Sequence, residues 1–210
     1  MEFLYRDKTL CVCIKPAGVL STDEPGGLPE LVRCALGGEA YTVHRLDQVV
    51  SGVIVLARTA EAAGALSAQI REKIFEKTYL AVVRGRPQKK AGTFRDLLMR
   101  DRVSRRTYVT KTPQRGAQEA VLDYEVLGTA EGLSLVRIAL RTGRTHQIRA
   151  QFSSRRMPLW GDRKYGGASE TGPIALWSHS VAFEHPRTGR RLTLTAPPPA
   201  AEPWTLFKLP

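Results

Sequence analysis

The chain has 210 residues, 42% of them hydrophobic and 25% charged, which allows a substantial core and excludes a disordered chain. Lys and Arg number 32 against 20 Asp and Glu, a net charge of +12, and the sequence pI is near 10.1. This balance points to a polyanionic partner, nucleic acid before membrane. No apolar run approaches the ~20 residues of a membrane span, and the first residues lack the blocks of a secretory signal. Together with an odd set of cysteines (Cys11, Cys13 and Cys34), these features lead us to expect a cytoplasmic protein with reduced thiols. Cys11 and Cys13 share one strand face and are expected to be structural; no CxxC or HxxxH pair offers a metal site.

In chain order, Leu10 to Ile14 reads as a strand, closed by the turn chemistry of Lys15-Pro16-Ala17-Gly18. Val53 to Ala57 is a continuous apolar run that reads as a buried strand. A helix is expected from Thr59 to Lys73, with Thr59 as N-cap and Ala62, Ala63, Leu66 and Ile70 as its apolar stripe. Lys77 to Arg84, Ala120 to Leu127 and Leu133 to Leu140 have strand character. A helix is expected around Ile148 and Phe152, followed by closing strands at Ala175 to Glu184 and Arg191 to Ala196. Gly26-Gly27 and Gly37-Gly38 read as turns without the strand–GxGxxG–helix context of a dinucleotide site. Many strands, few helices and no βαβ rhythm indicate an α+β fold with a mixed, mostly antiparallel sheet in a single domain over 1–210. Between Arg86 and Gln118 ten Lys or Arg face only Asp96 and Asp101, so this stretch carries +8 of the net charge. Contact with phosphates is the functional reading, and a solvated basic face the bland one.

Four segments carry candidate chemistry. His44-Arg45-Leu46-Asp47, followed by Ser51-Gly52, puts polar groups beside a buried strand, as a site carboxylate or as a turn in which Asp47 caps amides. Lys77-Thr78-Tyr79 begins a strand, where a tyrosine is more often core. Arg141-Thr142-Gly143-Arg144-Thr145-His146-Gln147-Ile148-Arg149 gathers Arg141, Arg144, His146 and Arg149 about an expected helix start, as an anion site or as a solvated basic helix face. Pro158-Leu159-Trp160-Gly161-Asp162 through Tyr165-Gly166-Gly167 reads alone as a Gly-rich loop.

In this order, and with Lys15-Pro16-Ala17-Gly18-Val19-Leu20 before them and His185-Pro186 and Ala196-Pro197 after, the segments resemble the RluA family of pseudouridine synthases. The resemblance covers nearly the whole chain, and the HRLD and GRTHQIR peptides are its most specific pair. It implies the pseudouridine synthase fold, a bisected mixed sheet flanked by helices and loops with a catalytic cleft between two halves. It also implies isomerisation of uridine in ribosomal or transfer RNA by base flipping and N1-to-C5 glycosidic exchange, with no coenzyme and no metal. Asp47 is implied as the catalytic carboxylate, Tyr79 as the stacking aromatic and Arg149 as the ion-pair partner of Asp47. Arg45 is implied to replace the flipped base. His44, Lys77, Arg144, His146, Arg105 and Arg106 complete the expected RNA contacts. We also expect a monomer, no separate N-terminal RNA-binding domain and no membrane contact.

Two departures from the family pattern stand out: Val50 where Thr often precedes Ser-Gly, and Ala150-Gln151 where Val-His often follows the heptapeptide. Competing classes are a non-catalytic RNA-binding module and another RNA enzyme. A metal nuclease needs a carboxylate cluster and a methyltransferase a Gly-rich cofactor loop, and the sequence offers neither.

Overall fold

The computed structural model describes residues 1–166 and 172–210, in two compact units. The first comprises Met1–Thr78 and Trp177–Pro198, the second Tyr79–Leu176 and Pro199–Pro210. Gly167, quoted above with its neighbours, lies outside the described residues.

The first unit is built on β1 (Phe3–Arg6), β2 (Leu10–Lys15), β3 (Tyr41–Thr42) and β4 (Ser51–Ala57). Nearly all of β10 (Leu176–Glu184) and the whole of β11 (Arg191–Thr195) belong to it as well. The strands run β1-β2-β4-β10, with β3 paired to β4 and β11 to β10. All these pairs are antiparallel except β4 with β10, which makes the sheet mixed. Val53 through Ala57 are all 0% exposed, which is why β4 reads as an unbroken apolar run rather than an alternation. Gly52 opens that run at φ +121, and a Cβ there would lie 2.3 Å from the Ser178 carbonyl oxygen. The Ser51-Gly52 pair therefore reflects a backbone approach that only glycine permits.

Helix α1 (Leu28–Leu36) and helix α2 (Ala60–Arg71) complete the unit. The Thr59 hydroxyl caps α2 by accepting the Ala62 amide, as the sequence led us to expect. Helix α1 was not expected: the two Gly-Gly pairs lie in non-helical chain at its two ends, with Pro29 in its first turn.

The second unit contains most of β5 (Glu76–Arg84), then β6 (Ala91–Arg100), β7 (Thr107–Thr110), β8 (Gln118–Ala130) and β9 (Leu133–Leu140). Their order is β5-β9-β8-β6-β7, and the pairs among β6 to β9 are antiparallel. The single α-helix of this unit among the described residues, α3 (Gln147–Ser153), packs its Phe152 with Phe94 and Tyr124, the three ring centroids 4.6 to 6.1 Å apart. The basic stretch, read from sequence only as charge, includes a hairpin: β6 and β7 joined through residues 101–106.

Candidate functional site

Asp47 lies in the loop from β3 to β4, half-buried, with its carbonyl oxygen accepting the Val50 amide at 2.9 Å. In the peptide leading to it His44 and Leu46 are buried and Arg45 is exposed. His44 accepts the Val55 amide on Nε2 at 3.1 Å and packs 5.2 Å from the Phe75 ring, which in turn stacks on Phe183. Burial, reinforced by the nearby Lys77 charge, pushes the His44 pKa down to about 3, so it stays neutral and keeps its acceptor. His44, expected as an RNA contact, has an interior role within its own unit. At 7% exposure it braces β4 behind the Asp47 loop.

The loop is held from the other side as well. Ser21, also buried, donates its hydroxyl to the Leu46 carbonyl at 2.9 Å and accepts the Leu46 amide at 3.1 Å. Gln48 accepts the Gly18 amide on its carbonyl oxygen at 2.8 Å and returns a side-chain N–H to the Gly18 carbonyl at 3.0 Å. The residues before and after Asp47 are therefore both fastened to the 15–21 loop. Lys77 is half-buried in the same unit, and burial lowers its pKa.

The other expected site residues belong to the second unit. Tyr79 is 5% exposed in β5. Arg149, on α3, is 5% exposed and makes two parallel bonds to Asp162, from Nε to Oδ2 and from Nη2 to Oδ1, each 2.8 Å. Asp162 also accepts the amides of Lys164 and Tyr165 on Oδ1 at 3.1 Å. A planar fork answered by a carboxylate in this way is a fixed guanidinium. Gly161 permits this placement: at φ +72, a Cβ would come within 2.6 Å of the Pro173 carbonyl oxygen.

Tyr165 gathers several of the remaining residues. Its hydroxyl accepts the Thr107 amide at 2.7 Å and lies 2.8 Å from His146 Nδ1. The guanidinium groups of Arg149 and Arg106 lie 5.0 and 5.3 Å from its ring centroid. Arg106 also donates to the Lys164 carbonyl, and Lys164 to the Arg105 carbonyl, so the hairpin tip and the 162–166 loop are joined. Arg105 itself is exposed, with φ +52.

The expected helix start is built as follows. Helix α3 has only seven residues, and the Gln147 side chain already accepts the Arg144 amide at 3.0 Å and the Thr142 hydroxyl at 2.8 Å. The Arg144 Nε donates to the Glu119 carbonyl, while its exposed side chain remains on the surface. Sequence reasoning missed Asp162, Tyr165, Gln147 and Ser21 as positioning groups. Asp162 and Tyr165 stood inside a quoted motif, but nothing in the sequence connects them to α3. Among the described residues no cluster of three His, Cys, Asp or Glu is arranged to hold a metal ion.

The chain is similar to known RNA pseudouridine synthases over most of its length. The family model described as RNA pseudouridylate synthase matches residues 9–154. An uncharacterized RNA pseudouridine synthase, YhcT, of Bacillus subtilis (strain 168) is 36% identical over 95% of this chain and 69% of its own length. The tRNA pseudouridine synthase C of Yersinia pestis is 32% identical over 97% of this chain and 88% of its own. The ribosomal large subunit pseudouridine synthase C of Pasteurella multocida (strain Pm70) is 31% identical over 93% of this chain and 64% of its own. Among solved structures, human RNA pseudouridylate synthase domain containing 1 superposes with a TM-score of 0.81 at 24% identity, covering 95% of this chain and 84% of that one. That likeness shows the fold.

Proposed function

The chain belongs to the RNA pseudouridylate synthase family, and from that premise we propose that it isomerises uridine in ribosomal or transfer RNA with Asp47 as the reacting carboxylate. The observation that carries the assignment of Asp47 is its setting. It is a half-buried carboxylate whose neighbours Leu46 and Gln48 are fixed by Ser21 and Gly18, before a strand buried from Gly52 to Ala57. Catalytic geometry needs that rigidity.

The reaction opens the N1–C1′ bond, turns the uracil and closes a bond from C5. A stacked uridine must first leave its helix, at a cost of a few kcal/mol. In this proposal the exposed Arg45 fills the vacancy, since a planar guanidinium stacks and donates hydrogen bonds together. Tyr79 gives the extruded base a ring face, worth about 1–3 kcal/mol. Two routes are open to Asp47, attack on C1′ or removal of a ribose proton, and both require the ionised carboxylate. Within its own unit, Asp162 holds Arg149 in one orientation. Exposed basic residues, Arg105 and Arg144 among them, take phosphates. The two substrate classes are those named for the relatives from Yersinia pestis and Pasteurella multocida.

The test is single-turnover release of tritium from RNA labelled at uracil C5, in EDTA and without coenzyme. Asp47→Asn is nearly isosteric, and the expected result is a fall beyond about a thousandfold, roughly 4 kcal/mol of barrier, with RNA binding retained. A rate within about tenfold of wild type, ~1.4 kcal/mol, rejects the assignment.

A further inference from the structure

A cleft of about 440 Å³ opens beside the β6–β7 hairpin, wholly within the second unit. Its volume falls in the roughly 300–1,000 Å³ range of small-ligand sites. Arg100 at the end of β6, Arg102 in the hairpin turn, Arg115 in the loop before β8 and Arg144 before α3 all line it. Among the described residues none of these four forms an ion pair, and no Asp or Glu lines the cleft. By contrast, Arg137, Arg141 and Arg155 of the same unit each face an acid: Glu125, Asp123 and Asp96. Of its guanidinium, Arg144 commits only Nε, to the Glu119 carbonyl at 3.0 Å. A Cβ at Gly116 would touch the Met99 thioether at 3.6 Å, so the chain carrying Arg115 lies directly against β6.

Thr107 supplies a second, independent observation. It is the register partner of Arg100 across the hairpin, is 4% exposed and lines the same cleft. Its amide donates to the Tyr165 hydroxyl at 2.7 Å, but its own hydroxyl is buried with no partner. An unmatched buried hydroxyl is unfavourable, and valine would fit a strand position without that cost. A ligand oxygen answers both features together: it accepts the threonine O–H and neutralises the unpaired guanidinium groups.

Resting on the reading of the chain as an RNA-modifying enzyme, we propose that this cleft binds one phosphate of the substrate RNA, held by the Thr107 hydroxyl and by Arg100, Arg102, Arg115 and Arg144. The volume leaves room for the attached sugar, and all four arginines are exposed, so a polynucleotide strand can run through. Both features favour a chain phosphate over a free one. None of the five residues is Asp47, Tyr79 or Arg149. The site therefore bears on which RNA is held, and in what register, rather than on the bond exchange itself.

The experiment measures the affinity of the full chain for bulk transfer RNA and ribosomal RNA by filter binding at several salt concentrations, for wild type, Thr107→Val, Arg100→Gln and Arg115→Gln. Thr107→Val keeps the shape and removes only the hydroxyl, so RNA affinity should fall about tenfold while the thermal midpoint holds or rises. A threonine kept only for structure would lower the midpoint and leave affinity alone. Arg100→Gln and Arg115→Gln should each shrink the slope of log K against log salt by about 0.7–0.9. Inorganic phosphate and uridine 5′-monophosphate, each added alone, should leave the wild-type midpoint where it is. A midpoint raised by either one in wild type but not in Thr107→Val, with equal RNA affinity in both, assigns the cleft to a free ligand and overturns the proposal. Wild-type affinity in Thr107→Val, or unchanged slopes in both arginine variants, overturns it as well. Should Thr107→Val fail to fold, the slopes of the two arginine variants decide. Pseudouridine is assayed separately: a wild type that binds RNA and forms none refutes the parent reading, while the cleft is judged on affinity.

Discussion

Asp162→Asn isolates the support given to Arg149. The side chains of Arg149 and Asp162 are 6% and 0% exposed, so solvent screening does little to soften the change. Asparagine is the same size and can keep its Oδ1 on Arg149 Nη2 and on the amides of Lys164 and Tyr165. Its amide nitrogen must then replace Oδ2, where it confronts the Arg149 Nε–H donor to donor. The variant loses both the charge that matches a buried guanidinium and one strong hydrogen bond. Stripping a buried charge of its partner costs about 3–5 kcal/mol, a large part of the ~5–15 kcal/mol that holds a domain folded. For a chain of this size that lowers the thermal midpoint by about 6–20 °C. Urea unfolding of wild type, Asp162→Asn, Arg149→Met and the double variant gives the coupling directly. The double variant should be less destabilised than the sum of the singles by at least about 2 kcal/mol. A loss below about 1 kcal/mol in Asp162→Asn, or additivity in the cycle, refutes this account of how Arg149 is held.

Two further outcomes follow from the same geometry. Replacing Arg105 with Gln removes an exposed charge while its carbonyl bond to Lys164 stays, so RNA affinity should fall and the slope of log K against log salt should shrink by about 1; filter binding at several salt concentrations checks it, and an unchanged slope places Arg105 outside the RNA contact. His44 gives an acid effect of known sign. Its folded pKa of about 3 lies below the ordinary 6.5, so the unfolded state takes up a proton first and stability is lost as pH falls through that window. His44→Gln should show a shallower loss of stability between about pH 6.5 and pH 3 than wild type, read by urea unfolding.

The sequence by itself determined the parts that depend on near neighbours. The apolar run of β4, the Thr59 cap of α2 and the strand of β9 follow from local pattern and chemistry, and the structure has them where the pattern puts them. The HRLD and GRTHQIR peptides were legible because their order along the chain is enough to carry the family. Helix α1 was not, since glycine pairs signal turns equally well inside a loop and at the ends of a helix. Strands β6 and β7 were obscured by the charge that drew attention to their segment. Tertiary structure alone decided which groups answer the buried charges. Lys15 finds the Gln48 carbonyl 33 residues away, and Arg149 finds Asp162 across the turn after α3. The physical reason is burial. A hydrogen-bond donor removed from water must meet an acceptor, but the fold chooses which one, and periodicity in the sequence carries no record of that choice.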